Sequence, residues 1–290
     1  VRYVAMSPNI RSVILRAFAY GFGGIVALAL LPLIARDLVK GGPIVFGVLL
    51  GAFGAGAVVG AFLSARLRRK LTTEALVRAT FAAYAASAAL LGVSTTMWLT
   101  MPALAVAGAC WVMTLSTFNA TVQLSAPRWV VGRALALYQM AAFGGMAGGS
   151  WVWGQAVLHF GPEQALLLAA FALLAGAALG FRYRLPPLEA LNLDPLSRWR
   201  EPKVAVDIEP RSGPVIVTIE WLIREEDVVE FLKAMAERRR IRRRDGARHW
   251  TLLRDLTDPE LWVERYDTPT WVEYVRQAQR ITQADAEIAD

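Results

Sequence analysis

"GAFLSARLRRKLT", Gly60 to Thr72, runs from glycine-dotted apolar chain into four cations, Arg66, Arg68, Arg69 and Lys70. A nucleic-acid-binding arm, a nucleotide-binding loop and the end of a membrane helix share this outline, and the flanking sequence separates them. Upstream, Pro43–Ala65 meets the roughly 20 apolar residues that a bilayer-crossing helix needs. Five more runs of this kind are Val13–Ala35, Ala75–Thr95, Leu99–Ser125, Ala134–Phe160 and Gln164–Phe181. Charge or turn signals separate them, as in "RDLVKGGP", "STTMW", "APRWVVGR" and "HFGPE". Soluble helices of this length carry a polar face, which these runs lack.

Charge follows the same division. Of the 290 residues, 56% are hydrophobic and the net charge is +7. Residues 1–182 hold nearly all of that excess, with three acids (Asp37, Glu74 and Glu163), whereas the remainder is slightly acidic. The basic balance therefore belongs to the apolar part, which argues against a soluble polyanion-binding protein. With the N-terminus placed in the cytoplasm, Arg2, Arg11, Arg16, Arg66, Arg68, Arg69, Lys70, Arg78, Arg128, Arg133 and Arg182 fall on the inner side. Only Arg36 and Lys40 fall outside, as the positive-inside rule requires. The expectation is a multi-pass protein of the plasma membrane with both termini cytoplasmic and the lipid bilayer as its surroundings. Cys110 is the single cysteine, so neither a disulfide framework nor a thiolate metal site is expected. No cofactor and no metal are expected.

The glycines admit two readings. Gly54, Gly56 and Gly60, with Glu74 downstream, resemble a dinucleotide fingerprint, but that motif needs a strand, a tight turn and then a helix. Here they interrupt one apolar run, and Gly47, Gly51, Gly56 and Gly60 recur at helical steps suited to close packing of neighbours. Gly144, Gly145, Gly148 and Gly149 repeat the pattern in the fifth run. Two triplets of spans, each with a glycine-rich middle member, form the pattern of transporters built from inverted repeats. No Asp or Glu falls inside any run as drawn, so a proton-carrying acid is not expected in this half.

In the fourth run Trp111, Leu115, Asn119 and Gln123 recur every four residues beside Ser116, and in the first Arg16 and Tyr20 are four apart. Polar side chains at such depth face a cavity or a partner helix. Arg16, Tyr20, Trp111, Ser116, Asn119 and Gln123 are the candidate cavity residues for a small-molecule substrate. Hydrogen bonding between helices, with Arg16 reaching the interface, is the alternative.

"GAFLSARLRRK" resembles the signature between the second and third helices of each half in the major facilitator superfamily. Gly60, Arg66, Arg69 and Lys70 match it, and Ala65 stands where the signature has an acid. "LSTFNATVQLSAP", Leu115 to Pro127, and "RRIRRRDGA", Arg239 to Ala247, are similar to the transmembrane secretion effector group of exporters, enterobactin exporter-like. The resemblance implies a secondary exporter whose residues 1–183 equal helices 7–12, with the N-terminal six-helix half missing. It implies a transporter and not an enzyme; separately, no GxxxxGK(S/T) motif occurs, so the chain is not expected to use ATP by a P-loop.

After a Pro-punctuated linker at 184–212, residues 213–290 read as a small α+β domain. "VIVTIEWLI" is an alternating strand. "REEDVVEFLKAMAERRRIRRR" is a helix with acids first and cations last. "RHWTLLRDL" and "LWVERYD" form a hairpin around "TDPE", and a second amphipathic helix begins in "TPTWVEY". The order βαββα is a ferredoxin-like unit without its last strand. It resembles antibiotic biosynthesis monooxygenase-like domains, which implies dimerisation of the tail. A membrane-anchored small-molecule-binding or monooxygenase-like protein, or a regulatory half-subunit, is the alternative to a transporter. The Arg238–Arg244 run reads as a solvated helix end near headgroups rather than a nucleic-acid site.

Overall fold

The computed structural model describes residues 2–127, 129–185 and 207–279. The chain divides into two compact units, Tyr3–Ala190 and Leu191–Asp290, each taken by itself below. Arg128, most of the expected linker and the expected helix beyond Gln279 lie outside the described residues.

The first unit opens with α1 (Arg2–Met6), followed by α2 (Pro8–Gly24), α3 (Val26–Ala29), α4 (Leu31–Leu33) and a short π-helix at Ile34–Leu38. Five long helices then follow: α5 (Pro43–Lys70), α6 (Thr73–Val93), α7 (Met97–Ser125), α8 (Val131–Phe160) and α9 (Pro162–Arg182). Local chemistry sets their ends. Proline occupies the first turn of α2, α5 and α9, where its missing N–H costs nothing. Thr72 caps α6 by accepting the Ala75 amide at 3.2 Å. Gly161, at φ +84°, separates α8 from α9.

Pro8–Leu38 (taken through its bends), Pro43–Lys70, Thr73–Val93, Met97–Ser125 and Pro162–Arg182 are long and apolar enough to cross a membrane. α8 is as long, but Tyr138, Gln139, Ser150 and its glycines dilute its hydropathy, and it is not among the five.

The run read as one span, Val13–Ala35, falls within Pro8–Leu38, but the helix of that span is interrupted, which the sequence reading did not anticipate. It bends at Ile25 and again at Leu30, just before Pro32. Backbone carbonyls released at such a bend need partners inside a membrane. Trp153 Nε1 donates to the Phe22 carbonyl at 2.7 Å, and the Tyr84 hydroxyl donates to the Gly24 carbonyl at 2.5 Å. Side chains of α8 and α6 thus stabilise the interruption. Proline and glycine marked a possible bend, but the partners are 60 and 131 residues away and invisible to local pattern.

The packing has an internal symmetry. α5 packs on α7 and α8 packs on α2; α6 contacts α7 and α9 contacts α2; α6 and α9 pack on each other. Exchanging the triplet α2, α5, α6 for the triplet α7, α8, α9 maps these pairs onto themselves. Glycines create the two closest approaches. A Cβ on Gly56, Gly60 or Gly108 would collide with the backbone of Ala105, Ala109 or Phe53, across the α5–α7 contact. A Cβ on Gly145, Gly149 or Gly21 would collide with Phe18, Phe22 or Ala142, across α8–α2. The glycine expectation therefore needs correction in part. Gly47, Gly51 and Gly144 have open space where a Cβ would stand, and Gly148 meets only the edge of the Phe22 ring at 4.0 Å. Helix rotation explains the split, since only one glycine face of each helix turns towards its neighbour.

In the second unit, β1 (Val215–Leu222), α10 (Val228–Asp245), β2 (Arg248–Arg254), β3 (Leu261–Thr268) and α11 (Trp271–Gln279) follow one another. The strands form an antiparallel sheet in the order β1-β3-β2, with Trp221 opposite Trp262 and Leu253 opposite Val263. α10 covers one face, where Phe231 packs between Trp221 and Trp262 with ring centroids 6.1 and 5.6 Å away. The β2–β3 turn is closed by Asp255, whose carboxylate accepts the Thr257 hydroxyl and the amides of Thr257 and Asp258. These bonds, the Thr257 hydroxyl foremost, hold the Asp255 carboxyl below its ordinary range.

Candidate functional site

A cavity of about 610 Å³ lies between α7 and α8. α7 contributes Trp111, Val112, Leu115, Ser116, Asn119, Ala120 and Gln123, and α8 contributes Tyr138, Gln139, Ala142, Phe143 and Met146. Four-residue spacing puts the α7 residues on one face, so the sequence-read face Trp111–Ser116–Asn119–Gln123 lines one wall. The α8 wall was not read from the sequence. Its signal was Gln139 beside Tyr138 within an otherwise apolar run.

The polar groups of this cavity are neutral, and Ser116, Asn119, Gln123 and Tyr138 are all hydrogen-bonded. Gln123 Nε2 donates to Asn119 Oδ1, one helical turn away. The Tyr138 hydroxyl donates to the Leu115 carbonyl at 3.2 Å, which joins the two walls. Ser116 donates to the Met113 carbonyl at 3.1 Å and accepts from Arg68 Nη2 at 3.2 Å. Arg68 also donates to Ser64 Oγ at 3.1 Å, so a cation on α5 reaches the edge of the cavity through two hydroxyls. Such a surface offers hydrogen bonds and aromatic faces without a fixed charge in the wall, the character of a binding site for an uncharged or amphipathic molecule.

Arg16 and Tyr20 do not line this cavity, which corrects their placement. Both are fully buried. Tyr20 lies behind the wall, its ring 5.8 Å from Trp111 and 4.7 Å from Phe81. Arg16 turns instead towards α6, where its Nη1 donates to Glu74 Oε2 at 2.5 Å. Period alone gave the correct helix face for α7, but α2 is surrounded by neighbours on several sides and its polar residues meet α6. Glu74 corrects a second expectation. The apolar run was drawn from Ala75, whereas the Thr72 cap starts the helix at Thr73 and brings Glu74 into the span. The bundle therefore does hold a part-buried carboxylate within a span.

Gly60, Arg66, Arg69 and Lys70 fall on α5 itself and not in a loop. The helix continues to Lys70, with Arg68, Arg69 and Lys70 in its last turn, where cations meet the negative end of the helix dipole. Leu71 and Thr72 alone connect it to α6.

Three aromatic residues of the second unit, Trp221, Trp250 and Tyr266, gather around a buried carboxylate and its two arginines. Glu264 is fully buried; it accepts Arg238 Nε at 2.9 Å and Trp250 Nε1 at 2.9 Å, with Arg242 Nε at 3.6 Å. Arg238 stands over the Trp221 ring at 4.9 Å and Arg242 over Tyr266 at the same distance. Burial pushes the Tyr266 hydroxyl pKa up. His249, on the exposed rim, pairs with Asp267 at 2.7 Å. Among the described residues no group of His, Cys, Asp and Glu is arranged to hold a metal ion.

No curated protein matches the chain. A family model does: the one described as transmembrane secretion effector matches residues 1–290. That match, together with the apolar helices and the cavity between them, assigns a multi-pass membrane protein of a transporter family, not an enzyme: the chain belongs to the transmembrane secretion effector family, of major facilitator type.

Proposed function

We propose that this chain supplies one half-bundle, equivalent to helices 7–12, of a secondary active exporter of small molecules. The α7–α8 cavity carries the reading: neutral polar and aromatic side chains converge there inside a largely apolar bundle. Six crossings follow if α8 joins the five apolar spans. At 1.5 Å per residue its length of about 45 Å exceeds the roughly 30 Å of a hydrocarbon core. Its Gln139 and Tyr138 face the cavity and not lipid. The exchange symmetry of the two helix triplets supports a transporter repeat. With Arg66–Lys70 cytoplasmic, the cavity lies in the inner half of the bundle, because α7 ends and α8 begins on that side. The remaining six helices would close its open side. The protein would reside in the plasma membrane with both termini cytoplasmic.

The second unit is a ferredoxin-like tail in this reading, and it pairs with a second copy through the sheet face that α10 does not cover. That face exposes Ile216, Leu222 and Leu253, more than half of each being accessible. Antibiotic biosynthesis monooxygenase-like domains provide the resemblance, and the enterobactin exporter-like group provides it for the membrane half.

The experiment is efflux of a panel of fluorescent amphipathic compounds from cells producing the chain, alone and together with a six-helix N-terminal half. Asn119→Ala and Gln123→Leu are compared at equal membrane abundance. Reduced efflux or altered selectivity is expected. Unchanged efflux across the panel in both variants removes this cavity from transport.

A further inference from the structure

We propose that a second cavity, at the basic end of the first unit, is a site for one anionic phospholipid. It occupies about 720 Å³ between the start of α2, the first half of α8 and the end of α9. Its rim carries Arg11 and Arg182, and its wall is formed by Leu15, Phe18, Leu137 and Ala141. The two arginines are exposed, and among the described residues neither has an acidic partner within ion-pairing distance. The Arg182 guanidinium lies over the Tyr183 ring at 5.6 Å, which directs it along the rim. Ser12 is already engaged, donating to the Pro8 carbonyl at 3.0 Å.

The site is graded along the helix. Arg11, Leu15 and Phe18 follow one face of α2, so the cation and the deepest ring are about 10 Å apart along the axis. Leu15 and Phe18 are 38% and 45% exposed, leaving an apolar channel beneath two unpaired cations. A phosphate at the rim with an acyl chain on Leu15, Phe18, Leu137 and Ala141 satisfies both parts. A soluble anion would leave the apolar wall in contact with water or unrelated chains. A transmembrane protein helix would need acids at its end to match Arg11 and Arg182. Basic pockets between helices at a cytoplasmic membrane surface are suited to acidic headgroups. The site differs from the α7–α8 cavity in every lining residue.

The test uses the full chain in detergent, with dioleoylphosphatidylglycerol, dioleoylphosphatidylcholine, glycerol phosphate and inorganic phosphate as separate additions. Native mass spectrometry counts bound lipid, and thermal unfolding reads stabilisation. Phosphatidylglycerol should be retained on the order of tenfold over phosphatidylcholine, as two interfacial cations imply. Arg11→Gln/Arg182→Gln should abolish the preference, whereas Arg69→Gln/Lys70→Gln should keep it. A photoactivatable phosphatidylglycerol should label peptides spanning Arg11–Phe18 and Leu137–Ala141 of the unaltered chain, a measurement independent of whether the double variant folds. Equal retention of the two lipids overturns the proposal, as does equal stabilisation by glycerol phosphate or inorganic phosphate, or labelling confined to other peptides.

Discussion

Glu74 Oε2 accepts both the Arg16 guanidinium at 2.5 Å and the Leu185 backbone amide at 3.0 Å. One carboxylate at the start of α6 therefore ties α2 to the chain leaving α9. Gly180 lies against the pair, and a Cβ there would strike Glu74 Oε1. Arg16 is fully buried and Glu74 is 18% exposed, so neither charge has much water as an alternative partner. Removing one partner of such a pair costs about 3–5 kcal/mol, whereas replacing both by apolar residues of similar volume is often near neutral. Glu74→Leu and Arg16→Met should each lower the folded yield in detergent and the unfolding midpoint. The double variant should recover much of the loss. A double variant as unstable as the sum of the singles would remove the pairing as the cause.

Glycines on α5 give a positional prediction. Gly56→Ala and Gly60→Ala would drive a methyl group into the backbone of Ala105 and Ala109, and α5 must move away from α7. Gly47→Ala and Gly51→Ala meet nothing in this unit and should gain about 0.5–1 kcal/mol of helix preference instead. Thermal unfolding of the four purified variants checks the sign at each position. Destabilisation by Gly47→Ala matching that by Gly56→Ala would contradict the packing described.

Topology is tested by single-cysteine labelling in a Cys110→Ser background, since the native thiol is buried. Positions 37–40 and 159–163 should react with an impermeant reagent added outside intact cells. Positions 66–70 should react only after the membrane is opened. Labelling of the basic segment in intact cells would invert the orientation.

In the second unit, Glu264 is the only carboxylate that both Arg238 and Arg242 reach among the described ion pairs. Glu264→Leu would leave the part-buried Arg238 and Arg242 without their carboxylate, a loss of about 1–3 kcal/mol, since both cations keep some access to water. Protease sensitivity of residues 213–279 in the full chain should rise sharply, while the helical bundle stays resistant. Unchanged resistance of the tail would show that the carboxylate contributes little to its fold.

Most of the architecture was legible because apolar length and charge asymmetry are strong one-dimensional signals. The spans beginning at Pro43 and ending at Ser125 and Phe160 were located to the residue at those ends. The α7 face was legible for a related reason: Asn119 and Gln123, one turn apart beside Ser116, carry amides too polar to face lipid. What was hidden depended on contacts between distant residues. Arg16 and Trp111 look alike as periodic positions, yet one meets Glu74 on α6 and the other lines a cavity with Phe143 on α8. The helix face chosen by each glycine was hidden for the same reason, because Gly51 and Gly56 differ only in which way the backbone is rotated.

Along β1, residues alternate between the face under α10, with Trp221 on it, and the open face bearing Ile216 and Leu222. Register extends the open face across the sheet: Leu222 is opposite Leu261, and Val263 is opposite Leu253. Apolar side chains from all three strands therefore share one exposed surface, rimmed by Glu220, Arg265 and Asp267. A surface with both signs of charge around an apolar centre suits a self-complementary contact, since a two-fold axis can bring opposite charges together. Burial of each leucine or isoleucine would contribute roughly 1.5–3 kcal/mol, enough for a measurable association when several are involved. Leu253→Glu should place a carboxylate in the apolar part of that contact and reduce self-association without disturbing the α10 face. Sedimentation of the detergent-solubilised full chain at several concentrations checks this. The unaltered chain should show a concentration-dependent dimer, and Leu253→Glu should sediment as a monomer. A monomer in both, or a dimer in both, would rule out this face as the tail's self-association surface.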